Sequence, residues 1–244
     1  RLDGRRRVTI NMRTSPAIST KSRHTAVKIS TGDVELEGEL DLPPDASGVV
    51  LFAHGSGSSR HSPRNQHVAE VIRAAGVGTL LFDLLTYPEE QQDAISGALR
   101  FDINLLAQRL IGATRWLDLQ PATHGLQVGY FGASTGGAAA LMAAAELGDR
   151  VSAVVSRGGR PDLAGKALCR VRSPTLLIVG GYDEMVVCLN DDAYEKLRCE
   201  KDFRVVPCAT HLFEEPGKLE QVAQISAHWF SQHMGMPAAR EEAA

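Results

Sequence analysis

Three residues of this chain could together perform acyl chemistry: Ser134, Asp183 and His211. Ser134 lies in Gly132-Ala133-Ser134-Thr135-Gly136, with a glycine two residues before it and two after. A serine hydroxyl is a poor nucleophile until a base takes its proton, and the base in turn needs an acid to orient it. Asp183 closes the stretch Leu176-Leu177-Ile178-Val179-Gly180-Gly181-Tyr182, and His211 follows residues 203–210. Each therefore sits just past an apolar run, in the order serine, acid, histidine that a serine raised on a strand-to-helix turn requires. Glu184 is the alternative acid, one residue on, although a surface salt bridge is the more ordinary use of it. His54, just before Gly55, suits turn-shaping through hydrogen bonds. His24, His61, His67, His124, His228 and His233 fall in arm, loop or helix positions without that logic.

The elements around Ser134 must hold it in place. Residues 128–131 form a short apolar and aromatic run, as in a strand buried in a parallel sheet. Residues 138–147 are apolar almost all round, as in a buried helix. Gly132 and Gly136 remove side chains that would collide at so sharp a turn. The turn lifts the hydroxyl clear of the sheet at the start of a helix whose amides face a developing negative charge. The bland alternative is a glycine-rich turn with a helix-capping serine. Acyl transfer also needs donors for the oxyanion. The backbone N–H of Thr135 is one, and Ser56, in the loop after residues 49–53, is the other, with Gly57 as second choice and as a substrate contact. Arg157, at the end of the run 151–155, is placed to grip a substrate carboxylate. The commoner use of such an arginine is a structural pair, here with Asp162, Asp183 or Glu184.

Taken in order, residues 1–23 read as an arm, with a basic cluster at Arg5, Arg6 and Arg7 and a strand-like alternation of Val8, Ile10 and Met12. A tag or linker remnant is the plain reading of it, and an edge strand or partner-binding arm the sharper one. Residues 25–29 and 34–42 read as antiparallel strands, followed by strands at 49–53, 79–82, 128–131, 151–155, 175–179 and 203–206. Between them the spacing predicts helices over 63–75, 102–117, 138–147 and 189–197, and a last one from Glu214 or Pro216 to His233. The polar stretch 86–99 reads as a loop at a sheet edge where ligands bind. The expected architecture is α/β: a mostly parallel sheet with helices on both faces. One domain spans 24–234, with a tail over 235–244.

Composition removes several function classes. The 244 residues are 43% hydrophobic and 23% charged, with a net charge of −3, ordinary for a globular domain and without an electrostatic case for nucleic acid. No apolar run is long enough to span a membrane, and no apolar signal-like region opens the chain. The chain opens on Arg rather than Met, which leaves room for a start upstream. Cys169, Cys188, Cys199 and Cys208 lack metal-binding spacing. They read as reduced thiols of a cytoplasmic protein, the alternative being secretion after a removed signal. No metal or cofactor is expected, and the assembly expected is a monomer or homodimer.

The loop Ala53-His54-Gly55-Ser56-Gly57, the pentapeptide around Ser134, Gly180-Gly181-Tyr182-Asp183 and Ala209-Thr210-His211 together resemble the α/β-hydrolase fold. Within it they resemble the dienelactone-hydrolase-like branch of small esterases, over about residues 27–230. The resemblance implies an eight-stranded sheet with an antiparallel second strand, nucleophile Ser134, acid Asp183 and base His211. The enzymes that name the branch use a cysteine nucleophile; serine here favours simple carboxylic esters over a dienelactone. The span 155–175 is too short for a large cap domain, so small or sterically accessible esters are the expected substrates. A serine peptidase or amidase, a lactone hydrolase and a non-catalytic binding module are the other readings.

Overall fold

The computed structural model describes residues 23–235; all but the last residue of the expected arm, and the chain from 236 on, lie outside them. Strands β1 (Arg23–Thr31) and β2 (Val34–Leu42) form an antiparallel hairpin, and β2 pairs antiparallel with β4 (Gly78–Phe82). Strands β3 (Gly48–Ala53), β5 (Gln127–Ala133), β6 (Val151–Arg157), β7 (Thr175–Gly180) and β8 (Lys201–Val206) run parallel with β4. The eight strands lie in the order β1-β2-β4-β3-β5-β6-β7-β8. The chain's progress across the sheet reverses at β3, so the ends of β3 and β5 open a crevice of the kind in which such sheets bind ligands.

Strands β3, β4 and β7 are buried along their whole length, which is why they read as continuous apolar runs. Helices α1 (Pro63–Ala74) and α6 (Lys218–His233) cover one face, where Val68, Ile72, Val222 and Phe230 pack with Phe52 and Phe131. On the other face lie α3 (Ile103–Leu119), α4 (Thr135–Leu147) and α5 (Glu184–Lys196). Helix α4 is apolar almost all round because most of it is buried: Ala138, Ala139, Ala140 and Leu141 are fully enclosed, and Glu146 near its end is exposed.

Three segments depart from the sequence reading. Residues 86–99 are not simply a loop, since α2 (Tyr87–Ser96) forms within them. Thr86 Oγ1 accepts from Glu89 N–H, while Glu89 Oε2 accepts from Thr86 N–H at 2.7 Å, a reciprocal cap. Glu89 also holds Arg109 of α3 at 2.6 Å, which ties α2 to the body of the domain. The polar composition hid this helix because only Asp93 of α2 is buried. Helix α5 starts at Glu184, five residues before the expected start, and α6 starts at Lys218. The link from β6 to β7 contains only 3₁₀ turns over Pro161–Arg170, with no cap domain.

The turn from β5 into α4 depends on close backbone approach. A side chain at Gly136 would overlap the carbonyl of Ala53 at the end of β3. Gly136→Ala is therefore expected to destabilise the fold by at least the roughly 1–3 kcal/mol typical of overpacking. Chemical denaturation measures this; a variant as stable as the parent would contradict the tight β3–α4 contact.

Candidate functional site

Ser134 joins β5 to α4 with φ 52° and ψ −120°, a backbone region that a residue with a Cβ occupies only under strain. Its amide donates to the carbonyl of Arg157 at 3.2 Å, and its carbonyl accepts from Gly137 at 3.0 Å and Arg160 at 3.1 Å. Strand β6 and the start of α4 thus hold the strained turn from both sides. The Ser134 side chain is left half-buried, beside the loop after β3, where a Cβ on Gly55 would come within 3.0 Å of Ser134 Cβ.

Asp183 and His211 meet although 28 residues separate them: His211 Nδ1 lies 2.6 Å from Asp183 Oδ2. Their meeting follows from the packing of the loops after β7 and β8. A side chain at Gly180 would run into the carbonyls of Ala209 and Thr210, and Tyr182 N–H donates to Ala209 at 2.9 Å. The imidazole rests on the backbone of Gly158, next to Arg157, whose carbonyl receives the Ser134 amide. Ser134 and His211 therefore both lie against the end of β6 and the glycine that follows it. Among the described residues the Ser134 hydroxyl makes no hydrogen bond to His211; such bonds often tighten only when substrate is bound. The carboxylate leaves Nε2 as the free nitrogen, the one suited to take a proton.

The loop after β3 is shaped by His54. Its Nδ1 lies 3.0 Å from the Gly55 carbonyl, and its Nε2 accepts from Leu84 N–H at 3.1 Å, which puts the ring proton on Nδ1. The Ser58 amide closes a turn onto the Gly55 carbonyl at 3.2 Å, with Gly57 at φ 71°. One expectation changes here. The Ser56 amide is engaged, donating to Thr135 Oγ1 at 3.0 Å. The Gly57 amide donates to no group among the described residues, and the Thr135 amide opens α4, where helical amides lack internal partners.

Beside this loop is a cleft of about 520 Å³, lined by Ser56, Gly57, Arg64, Glu90, Arg100 and Leu106, among others. Sequence reading missed Arg64 and gave no individual role to Glu90, in the polar stretch 86–99, or to Arg100. The Thr86-x-x-Glu89 spacing was the available signal for the last two, since it starts the helix that carries Glu90 and leads to Arg100. Asp93 fixes the Arg100 guanidinium through Nε at 2.5 Å. Burial, with the charge of Asp83, pushes the Glu90 carboxyl above the ordinary range. Arg157 departs from its expected structural pairing. Asp162 binds Arg160 through two bonds of 2.8 and 2.9 Å and Asp183 binds His211, while Arg157 donates to Asn65 Oδ1 at 3.3 Å. Among the described residues, no group of three or more His, Cys, Asp or Glu could hold a metal ion, no helix is long and apolar enough to cross a membrane, and all four cysteines are free thiols.

A crystal structure of a dienelactone hydrolase from Anabaena variabilis superposes with a TM-score of 0.86 at 59% identity, over 87% of this chain and 98% of that one. The chain belongs to the dienelactone hydrolase family of α/β-hydrolases. A lidless α/β serine hydrolase from Xanthomonas campestris shares the fold at 22% identity and a TM-score of 0.69, over 92% of this chain and all of that one. Proteins from two strains of Mycobacterium tuberculosis, provisionally named phosphoribosyl transferases, are 56% identical over 215 residues, 88% of this chain and 48% of theirs. The chain thus spans about half the length of the curated relatives it matches. No family model matches the chain. The eight-stranded sheet of this chain carries its second strand antiparallel.

His54 supplies a test of the loop. Burial pushes its imidazole below the ordinary 6.5, so the folded protein resists a proton that the unfolded chain accepts. Its contribution to stability is complete above about pH 6.5 and declines as pH falls below that value. Urea unfolding at about pH 7.5 and about pH 5.5 should show a smaller acid loss in His54→Gln than in the parent. Equal losses would contradict a buried neutral His54.

Proposed function

We propose that this chain is a serine hydrolase that cleaves carboxylic esters through an acyl-enzyme intermediate. The observation that carries the reading is the Asp183–His211 hydrogen bond of 2.6 Å, set across one β6 segment from a serine on a strained turn. In this reading His211 Nε2 takes the Ser134 proton as the hydroxyl attacks the ester carbonyl, and Asp183 stabilises the imidazolium that forms. His211 then protonates the leaving alcohol, and a water deprotonated by His211 releases the acid from Ser134. The Thr135 amide is one oxyanion donor. Gly57 replaces Ser56 as the second, because the Ser56 amide is already held by Thr135 Oγ1.

The open cleft and the short β6–β7 link support small or accessible esters as substrates. The same three residues would also serve amide hydrolysis, in which the amine leaving group must be protonated. The name of the mycobacterial relatives describes proteins twice as long as the matched segment, and that segment folds here as an α/β-hydrolase.

Ser134→Ala should fold normally and lose ester hydrolysis down to the roughly 10³–10⁴-fold enhancement over water that binding and oxyanion contacts alone supply. Near-parental turnover in that variant would sink the proposal. Asp183→Asn should lower kcat by on the order of 10⁴ with little change in KM. If Glu184→Gln proved the more damaging change, the acid would be Glu184. Rates on matched esters and amides, compared in the same preparation, should favour the ester; a preference for the amide would move the assignment to the amidase class.

A further inference from the structure

The cleft beside Ser56 and Gly57 has a floor of buried Leu84, Leu85 and Leu106 and a wall of polar residues. An apolar concavity with a few convergent polar groups is the usual form of a small-molecule site. Part of the wall is already engaged. Arg64 pairs with Glu214, the Ser59 hydroxyl accepts from His61 N–H, and the Ser62 hydroxyl accepts from Asn65 N–H at the start of α1. The Glu90 carboxylate and the Ser58 hydroxyl line the cleft and make no hydrogen bond among the described residues.

Arg100 is held with one nitrogen to spare. Asp93, only 3% exposed, accepts from the Leu99 and Arg100 amides at 2.7 and 3.1 Å and from Arg100 Nε at 2.5 Å. The Asp93 carbonyl accepts from Nη2 at 2.8 Å. Nη1 is left without a partner among the described residues, 3.9 Å from where a Cβ on Gly57 would stand. A guanidinium fixed at two of its nitrogens loses little freedom when the third meets a ligand.

The place of the cleft decides which half of an ester it takes. In the ester-hydrolase reading His211 protonates the leaving alcohol, and it rests on Gly158, just past β6. The cleft is built from the loops after β3 and β4, on the other side of β5 and Ser134. The alcohol therefore leaves beside His211, and the acyl group lies in the cleft. Both signs of charge line that cleft: Arg64 and Arg100 disfavour a cation, Glu90 and Asp93 an anion. A hydroxyl donates and accepts at once, so it suits Glu90 and Arg100 Nη1 together. Burial already pushes the Glu90 carboxyl above its ordinary range, and a hydroxyl donor restores some of the solvation that the carboxylate has lost.

We propose that the cleft binds a hydroxylated acyl group, with Glu90 accepting from its hydroxyls and Arg100 Nη1 donating to them. The substrates are then esters of hydroxy acids. The inference rests on the ester-hydrolase reading of Ser134 and names the substrate class for it.

The test uses ethyl esters whose acyl groups are close in size: propanoate, glycerate, 3-aminopropanoate and malonate, the last as its monoethyl ester. Dividing each kcat/KM by the rate of alkaline hydrolysis of the same ester removes its intrinsic reactivity. The parent should favour glycerate over propanoate about tenfold, the scale of one hydrogen bond to a charged group, and should favour it over both charged esters. Glu90→Ala should cut the glycerate advantage by about threefold or more. Arg100→Gln, made together with Asp93→Asn so that no buried carboxylate loses its partner, should do the same. Circular dichroism checks folding. If the paired variant fails to fold, Glu90→Ala, at a partly exposed position, decides the matter. A parent that prefers propanoate or a charged ester, or a glycerate advantage unchanged in the folded variants, would overturn the subsite. Turnover of the propanoate that disappears in Ser134→Ala would leave the hydrolase reading standing even then.

Discussion

The close backbone contact between the end of β3 and the start of α4 sets the rest of the site. At Gly136 the two segments leave no room for a side chain. That contact forces β5 to turn into α4 within a single residue, and the residue is Ser134, in strained backbone space. Strain of this kind costs on the order of 1–3 kcal/mol and persists only where the surroundings over-determine it. Here the surroundings are the hydrogen bond from the Ser134 amide to Arg157 and those that its carbonyl accepts from Gly137 and Arg160. Gly158, the residue after β6, lies against His211, so one stretch of backbone, Arg157 to Arg160, adjoins both the serine and the imidazole.

Much of this was legible in the sequence because parallel strands buried on both faces must be apolar throughout. The runs at 49–53 and 175–179 admit few other readings, and the order serine, aspartate, histidine at successive strand ends follows from the chain's path. What was hidden had physical reasons. Helix α2 turns almost wholly toward solvent, so its pattern is polar and only its reciprocal Thr86–Glu89 cap betrays it. The start of α5 was hidden because its first turn mixes buried Val186 with exposed Met185, so its apolar residues do not mark a single buried face. The choice between Ser56 and Gly57 as a donor depends on one long-range hydrogen bond, Ser56 N–H to Thr135 Oγ1, and no spacing rule encodes that bond. Arg157 was visible as a residue of interest, but its solitude was not, because Asp162 is diverted to Arg160 only in three dimensions.

The two sides of the site differ in character. Asp183 and His211 form a compensated pair at the ends of β7 and β8. On the α1 side, Arg64 pairs with Glu214, while Arg157 is buried against Asn65 and Phe213.

The central claim is that Ser134 becomes covalently acylated during turnover. Acid quenching of the enzyme while it hydrolyses an activated ester, followed by proteolysis and mass spectrometry, tests this directly. The account predicts the added mass of the acyl group on the peptide containing Ser134, and its loss when His211 is replaced, because the same imidazole must activate the serine before any adduct forms. Rapid turnover with no adduct under any quench, or an adduct on another residue such as Cys208, would contradict it.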